Sequence, residues 1–222
     1  MTTLLSRNRN LFLATIAFAV LSLLFGLWFR QNQVSGFESP LNMENGTIFP
    51  VPHDITPFHL VSADEKPFTN ENLNGHWSVL FFGFTQCPQL CPTTLAVLNE
   101  TYQLLEKKKN ITLPQVVFIS VDPDRDTPAV IQKYINSFNK NFKGATGTQQ
   151  EIKTLTAKLN ILYMKIPKQN ADDPMAYQID HSGTLLLVNP EGKLLALFSS
   201  PHTADSLANN IAAIEERYTK QT

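Results

Sequence analysis

A chain of 222 residues, 43% apolar and 17% charged, is long enough for one well-buried domain with an appendage and too short for two ordinary domains. Its 18 basic and 19 acidic side chains nearly cancel, and no basic stripe marks a nucleic-acid surface, so a nucleic-acid partner is excluded. Cysteine occurs only at positions 87 and 91, which concentrates all thiol chemistry in one place.

Arg7 and Arg9 precede Leu11 to Phe29, 19 residues without a charge. At about 1.5 Å rise per residue, such a helix just crosses a hydrocarbon core of roughly 30 Å. Trp28 and Arg30 close the run as an interfacial anchor does. Residues 11–30 are therefore predicted to form a single N-terminal transmembrane helix, with 1–10 on the cytoplasmic or inner side and everything after Arg30 across the membrane. A cleavable signal peptide fits less well, because the small-residue pattern Ala17-Phe18-Ala19 falls inside the apolar run, after about six residues of it. Ten residues precede the run and no long Arg/Ser-rich transit segment does. The expected location is a bacterial inner membrane with the C-terminal domain in the periplasm, or the intermembrane space in a mitochondrion. Residues 1–30 hold three basic and no acidic groups, leaving 15 basic against 19 acidic in the body that follows.

Residues 31–57, punctuated by Gly36, Pro40, Gly46, Pro50, Pro52 and Pro57, read as a linker, and 58–222 as the folded domain. Within it Phe58 to Val61 suggests a short strand, and Asn74-Gly75 a turn before a core strand from Ser78 to Phe84. A helix with Pro92 in its first turn would bury Leu95, Leu98, Tyr102 and Leu105. Gln115 to Val121 is the apolar, β-branched run of a buried parallel strand. Thr127 and Pro128 open a helix that would bury Val130, Ile131, Tyr134, Ile135 and Phe138. Thr148 to Glu151 has the form of a capping box for a helix through Leu159. Strands are expected at Ile161 to Ile166, Thr184 to Val188 and Leu194 to Phe198, with the polar segment Pro167 to Gln178 as a loop. Thr203 caps a final helix burying Leu207, Ile211 and Ile214. Strands alternating with helices and closing on a hairpin and helix define an α/β fold with a central mixed sheet flanked by helices. A cysteine pair at the first strand-to-helix junction points to the thioredoxin-like version of it.

Cys87 and Cys91 stand in FGFTQCPQLCPTTL, at i and i+4. On a helical turn their Cβ atoms would lie about 5–6 Å apart, close enough for a disulfide or for clamping one soft ion. A disulfide there would close a very small loop and restrain the unfolded chain little, so chemistry explains the pair better than structure does. A helix N-terminus also favours the thiolate. Two thiolates make a sparse metal site, and a third ligand would have to come from elsewhere. Taken alone, His181 fits either a ligand or a buried, satisfied histidine. Asp180 could orient its imidazole or simply occupy a turn. Asp122, Asp124, Arg125 and Asp126 read as helix-start capping and a surface ion pair, Asp126 above all, with Asp122 left open as a contributor near the cysteine site. Met164 reads as core. His53, His59, His76 and His202 lack ligand-like neighbours.

FGFTQCPQLCPTTL, FISVDPDRDTP and IDHSGTLLLVNPEG, in that order, resemble the Sco (SenC) family, thioredoxin-like copper-binding factors for cytochrome c oxidase assembly. The likeness covers most of Phe58 to Tyr218 and includes the single N-terminal anchor. It departs at Gln89, where family members more often carry aspartate. The resemblance implies that Cys87, Cys91 and His181 bind copper, as Cu(I) and with Cu(II) left open; two thiolates and an imidazole suit that ion. It further implies a membrane-anchored metallochaperone, an assembly factor rather than an enzyme. Its partner would be cytochrome c oxidase subunit II, served alongside other copper chaperones or thiol reductases. The alternative is a thiol–disulfide oxidoreductase that uses Cys87 and Cys91 to reduce the cysteines of that subunit. A thiol peroxidase and a zinc site fit less well, zinc because it takes four ligands or three plus water.

Overall fold

The computed structural model describes residues 16, 18–28, 43, 45–167 and 175–220. They fall into two compact units, residues 1–42 and 43–222. In the first, residue 16 and residues 18–28 are helical and expose apolar side chains, among them Phe18, Leu21, Leu24 and Trp28. The rest of the predicted span 11–30 lies outside the described residues, as does 1–10. Among the described residues, no helix is long and apolar enough to cross a membrane.

In the second unit the chain runs β1 (Gly46–Asp54), β2 (His59–Ser62), β3 (Pro67–Thr69), a 3-10 turn (Asn70–Leu73), β4 (Ser78–Gly83), α1 (Leu90–Glu106) and β5 (Gln115–Ser120). It continues through α2 (Pro128–Asn136), β6 (Lys143–Thr146), α3 (Gln149–Lys158), β7 (Tyr163–Pro167), β8 (Tyr177–His181), β9 (Leu185–Val188), β10 (Lys193–Phe198) and α4 (Ala204–Thr219). Eight strands form one mixed sheet in the order β1-β10-β9-β4-β5-β6-β2-β3, and β7 and β8 form a separate two-stranded sheet. β4, β5 and β6 are parallel, as right-handed helical crossovers require, while β9 runs antiparallel to β4. Every residue of β4 is buried, the signature of a central strand covered on both faces. Phe81, Phe82, Phe118 and Phe198 are the largest fully buried side chains of the core.

Several expectations need correction. Gly46–Asp54 lies inside the stretch read as linker, yet it pairs with β10 as the edge of the main sheet. Pro50 and Pro52 fall where its register breaks, between Ile48 and His53, which is how an edge strand accommodates residues without an N–H. Residues 31–42 of that linker lie outside the described residues. Tyr177 and Gln178, placed in a loop by sequence, belong to β8, which pairs in register with β7 from Tyr163↔His181 to Pro167↔Tyr177. Val130 is 42% exposed because α2 turns Ile131 and Ile135 toward the core, one position out of phase with it. Met164, read as core, is 61% exposed: it shares the outer face of the hairpin with Ile166, Gln178 and Asp180, while Tyr177 and Ile179 are buried on the other. The helix caps fall where expected, with Thr127, Thr148 and Thr203 each accepting a first-turn N–H.

Candidate metal centre

β4 ends at Gly83, and the chain crosses to α1 through Phe84 to Gln89. Only Cys91 is helical. Cys87 stands two residues ahead of the N-cap Gln89, whose side chain makes no capping bond. The Cys87 Sγ takes over that task and accepts the Cys91 N–H at 3.3 Å. The first-turn dipole and this N–H both favour negative charge on that sulfur. Cys91 is fully buried and Cys87 partly so.

Room for the Cys91 sulfur comes from Gly83, a residue that sequence reading passed over. A Cβ there would stand 2.6 Å from Cys91 Sγ and 2.9 Å from Phe118 Cε2, closer than real contacts allow. The only outward signal was a glycine closing an apolar strand. Gly83→Ala is expected to lower stability by about 1–3 kcal/mol through overpacking and to push the sulfur out of line. A denaturant midpoint equal to the wild type's would show that the pocket has slack.

His181, the last residue of β8, reaches the thiols from the hairpin. Its Nε2 lies 3.3 Å from Cys91 Sγ and 3.6 Å from Cys87 Sγ. The three potential ligand atoms lie within 4.8 Å of one another, the one such group of three among the described residues. The Phe84 ring meets the imidazole edge-on at 5.6 Å, and Phe81 lies 6.2 Å away, so the site has an apolar wall. Nδ1 faces the Ser182 carbonyl at 3.1 Å. When an ion is bound, an N–H at Nδ1 donating to that carbonyl would leave Nε2 free to ligate it, the tautomer that a metal ligand needs. Asp180 does not orient the ring: it sits on the exposed outer face of β8, and alternation turns it away from His181.

The two thiols titrate as a pair. Cys87 is held down to about 4, first by the Cys91 thiol donating to it, then by the His181 contact and backbone N–H groups, against the opposing effect of burial. Cys91 is driven strongly upward by the same bond and by burial. One proton therefore sits between a thiolate at Cys87 and a thiol at Cys91. Nearby, burial and then the neighbouring sulfurs raise the Tyr134 hydroxyl, which is buried and has no hydrogen-bond partner among the described residues.

The acidic loop after β5 departs from its expected surface role. Asp122 and Asp126 are both fully buried. Asp126 accepts from Thr85 N at 2.9 Å, Thr85 Oγ1 at 2.6 Å and Ser120 Oγ at 2.6 Å, fixing the segment that leads to Cys87. Asp122 pairs with Arg125 and accepts the Tyr177 hydroxyl, so it is spent on protein partners. Asp124 alone is exposed at the surface, paired with Lys165. None of the other histidines joins the cluster; His202 bonds the Gly183 carbonyl at 2.6 Å.

A family model described as SCO1/SenC matches residues 51–216. The chain belongs to the SCO1/SenC family. Among relatives, it is 34% identical over 164 residues to "Protein SCO1 homolog 1, mitochondrial" of Arabidopsis thaliana, covering 74% of this chain and 48% of that protein. It is 40% identical over 147 residues to "SCO2-like protein" of Rickettsia felis, covering 65% of this chain and 70% of that one. The chain thus spans about half the length of the Arabidopsis relative. Its fold superposes on the crystal structure of Arabidopsis thaliana ScoI with copper bound, with a TM-score of 0.66 and 34% identity over 72% of this chain and 97% of that one. Yeast Sco1 with copper bound gives the same TM-score at 33% identity, over 73% of this chain and 88% of that one. The thioredoxin-like α/β architecture expected from the cysteine position is therefore the fold that this chain shares with solved SCO1/SenC structures.

Proposed function

We infer that this SCO1/SenC protein is a membrane-anchored copper metallochaperone. It carries Cu(I) on Cys87, Cys91 and His181 and loads the binuclear copper centre of cytochrome c oxidase subunit II. The observation that carries this reading is the meeting of two sulfurs and an imidazole nitrogen within 4.8 Å, brought from positions about ninety residues apart in sequence. Soft thiolates with one imidazole suit Cu(I), and Phe81 and Phe84 give the site an apolar side. The copper-bound relatives add to the case. Exchange with an external disulfide, which takes up the two electrons and leaves as two thiols, would join Cys87 to Cys91 and release the ion. The apolar, exposed residues 16 and 18–28 support an anchor in the inner membrane, with the domain in the periplasm or intermembrane space.

Two measurements test the reading. His181→Ala, in the full chain under anaerobic conditions, is expected to lower Cu(I) affinity by more than about a hundredfold, since loss of even an outer-shell partner costs 10–100-fold. Tight binding unchanged in that variant would remove the metal role. The second is pH. Cys87 is already ionised at neutral pH, whereas Cys91 still holds its proton, so binding an ion to both sulfurs expels one proton. Between pH 7 and 9 the apparent Cu(I) affinity should rise by about tenfold per unit, falling as acid returns the proton to Cys91. A flat profile would mean that Cys91 is not a ligand.

A second reading, thiol–disulfide exchange with the same oxidase subunit, is favoured by the pair's asymmetry. A partly exposed, acidic Cys87 beside a buried Cys91 is the attacking and resolving arrangement of an oxidoreductase. Reduction of a subunit disulfide by His181→Ala at the wild-type rate, with copper binding lost, would separate the two activities.

A further inference from the structure

The hairpin bearing His181 belongs to no ladder of the main sheet, so its position relative to the thiols must be fixed by other means. We propose that Arg125 is the fastening. It is a positioning residue that holds the β7–β8 hairpin, and with it the His181 imidazole, against the loop between β5 and α2, and copper affinity depends on it although it touches no ligand. The dependence on copper rests on the reading of Cys87, Cys91 and His181 as the copper site; the fastening itself does not.

The contacts converge on one guanidinium. Arg125 and its partner Asp122 are nearly or wholly withdrawn from solvent, with side-chain exposures of 8% and 0%. Arg125 Nε donates to Asp122 Oδ2. Its Nη1 donates to the Tyr177 carbonyl at 3.1 Å and reaches the Met175 carbonyl at 3.5 Å, grasping the backbone of the hairpin where β8 begins. Its plane covers the Tyr177 ring at 3.8 Å, while the Phe84 ring lies 5.8 Å away. The same Tyr177 closes a loop of contacts by donating its hydroxyl to Asp122 Oδ1. From the facing strand, Lys165 Nζ reaches Asp124 Oδ2 at 2.6 Å and Asp122 Oδ1 at 3.6 Å, and lies 4.8 Å from the Tyr177 ring. Both strands of the hairpin are thus tied to one short loop.

That loop is tied in turn to the cysteine segment. Asp126, the residue after Arg125, holds Thr85, and Phe84 meets the His181 ring. The thiols and the imidazole therefore share a support, although they arrive on different sheets. Only arginine can serve here. A planar fork donates in two directions while its face stacks on a ring, whereas a lysine offers a point charge.

The test uses the full chain in detergent, with hydrogen exchange measured without metal and Cu(I) affinity measured by competition with a chelator. Arg125→Ala is expected to raise exchange at residues 177–181 while leaving β4 and β5 protected, and to lower Cu(I) affinity by roughly 10–100-fold, the usual effect of losing an outer-shell support. Arg125→Lys should resemble it, because charge alone does not rebuild the fork. Wild-type exchange in the hairpin, or wild-type affinity despite faster exchange, would overturn the proposal. If Arg125→Ala does not fold, Tyr177→Phe removes only the hydroxyl bonded to Asp122. It should show the same two changes in smaller measure, and their absence there would overturn the proposal equally. Should His181→Ala bind copper like the wild type, the copper-site reading fails, and the metal-free exchange data alone decide whether Arg125 is the fastening.

Discussion

Cys91→Ala is expected to change both the acidity of its neighbour and the capacity for copper. The largest influence holding Cys87 near 4 is the hydrogen bond donated by the Cys91 thiol. Removing that donor leaves the His181 contact and backbone N–H groups, opposed by burial, so the Cys87 thiol should titrate well above its present position and move toward the ordinary thiol range near 8.5. Thiolate absorbance in the ultraviolet, followed against pH, measures the shift directly. Cu(I) affinity in the same variant should fall by more than about a hundredfold, because a bond to the ion is lost outright. A Cys87 that still ionises near 4 would mean that the helix terminus, and not the paired sulfur, controls it. The variant disables both proposed roles together, since with one thiol gone the ion loses a ligand and the chain can close no internal disulfide; His181→Ala is the variant that separates them.

Asp126→Ala should produce the largest loss of stability among single substitutions near the site. Its carboxyl group is fully buried and serves three donors, Thr85 N, Thr85 Oγ1 and Ser120 Oγ. Each donor left unpaired costs about 1–3 kcal/mol, and the side chain's own burial offsets part of the sum, so a loss of roughly 3–5 kcal/mol is expected. Asp126→Asn, which keeps acceptor oxygen but brings an amide group facing the same donors, should fall between. Chemical denaturation measures both. A loss below about 1 kcal/mol for Asp126→Ala would mean that water or a rotated Thr85 replaces the carboxyl group. Because Thr85 stands two residues ahead of Cys87, the same variant should also weaken copper binding.

The parts of the molecule legible from sequence are those where one physical signal dominates. The apolar run Ser78 to Phe84 and the β-branched run Gln115 to Val121 are central strands, and burial on both faces leaves little choice of residue. Thr127-Pro128 and Thr203 announce helix starts because capping uses few side chains. The cysteine pair was legible because no other thiol occurs in the chain. What was hidden has equally physical reasons. β6 is only Lys143–Thr146, four residues with a glycine, too short for a period to appear. β1 carries two prolines, tolerated because it is an edge strand with a break in register. β8 alternates over only five residues, and its inner face includes Tyr177 and His181, whose polar tips meet Asp122 and the cysteine sulfurs, partners distant in sequence. Asp122, Arg125 and Asp126 resemble any solvated acidic turn until folding packs Tyr177 and Thr85 against them. Burial of charge is a tertiary fact, and no local pattern announces it.

Two donor atoms ride on the junction of β4 and α1, and the third rides on a separate two-stranded arm. On the copper-carrier reading proposed above, an ion held in this fashion need not be surrendered all at once. Withdrawal of the arm would take away the imidazole and leave the two sulfurs holding the ion, with the arm's side open to an acceptor. Release would then depend first on the anchorage of the arm and only afterwards on metal–sulfur bonding.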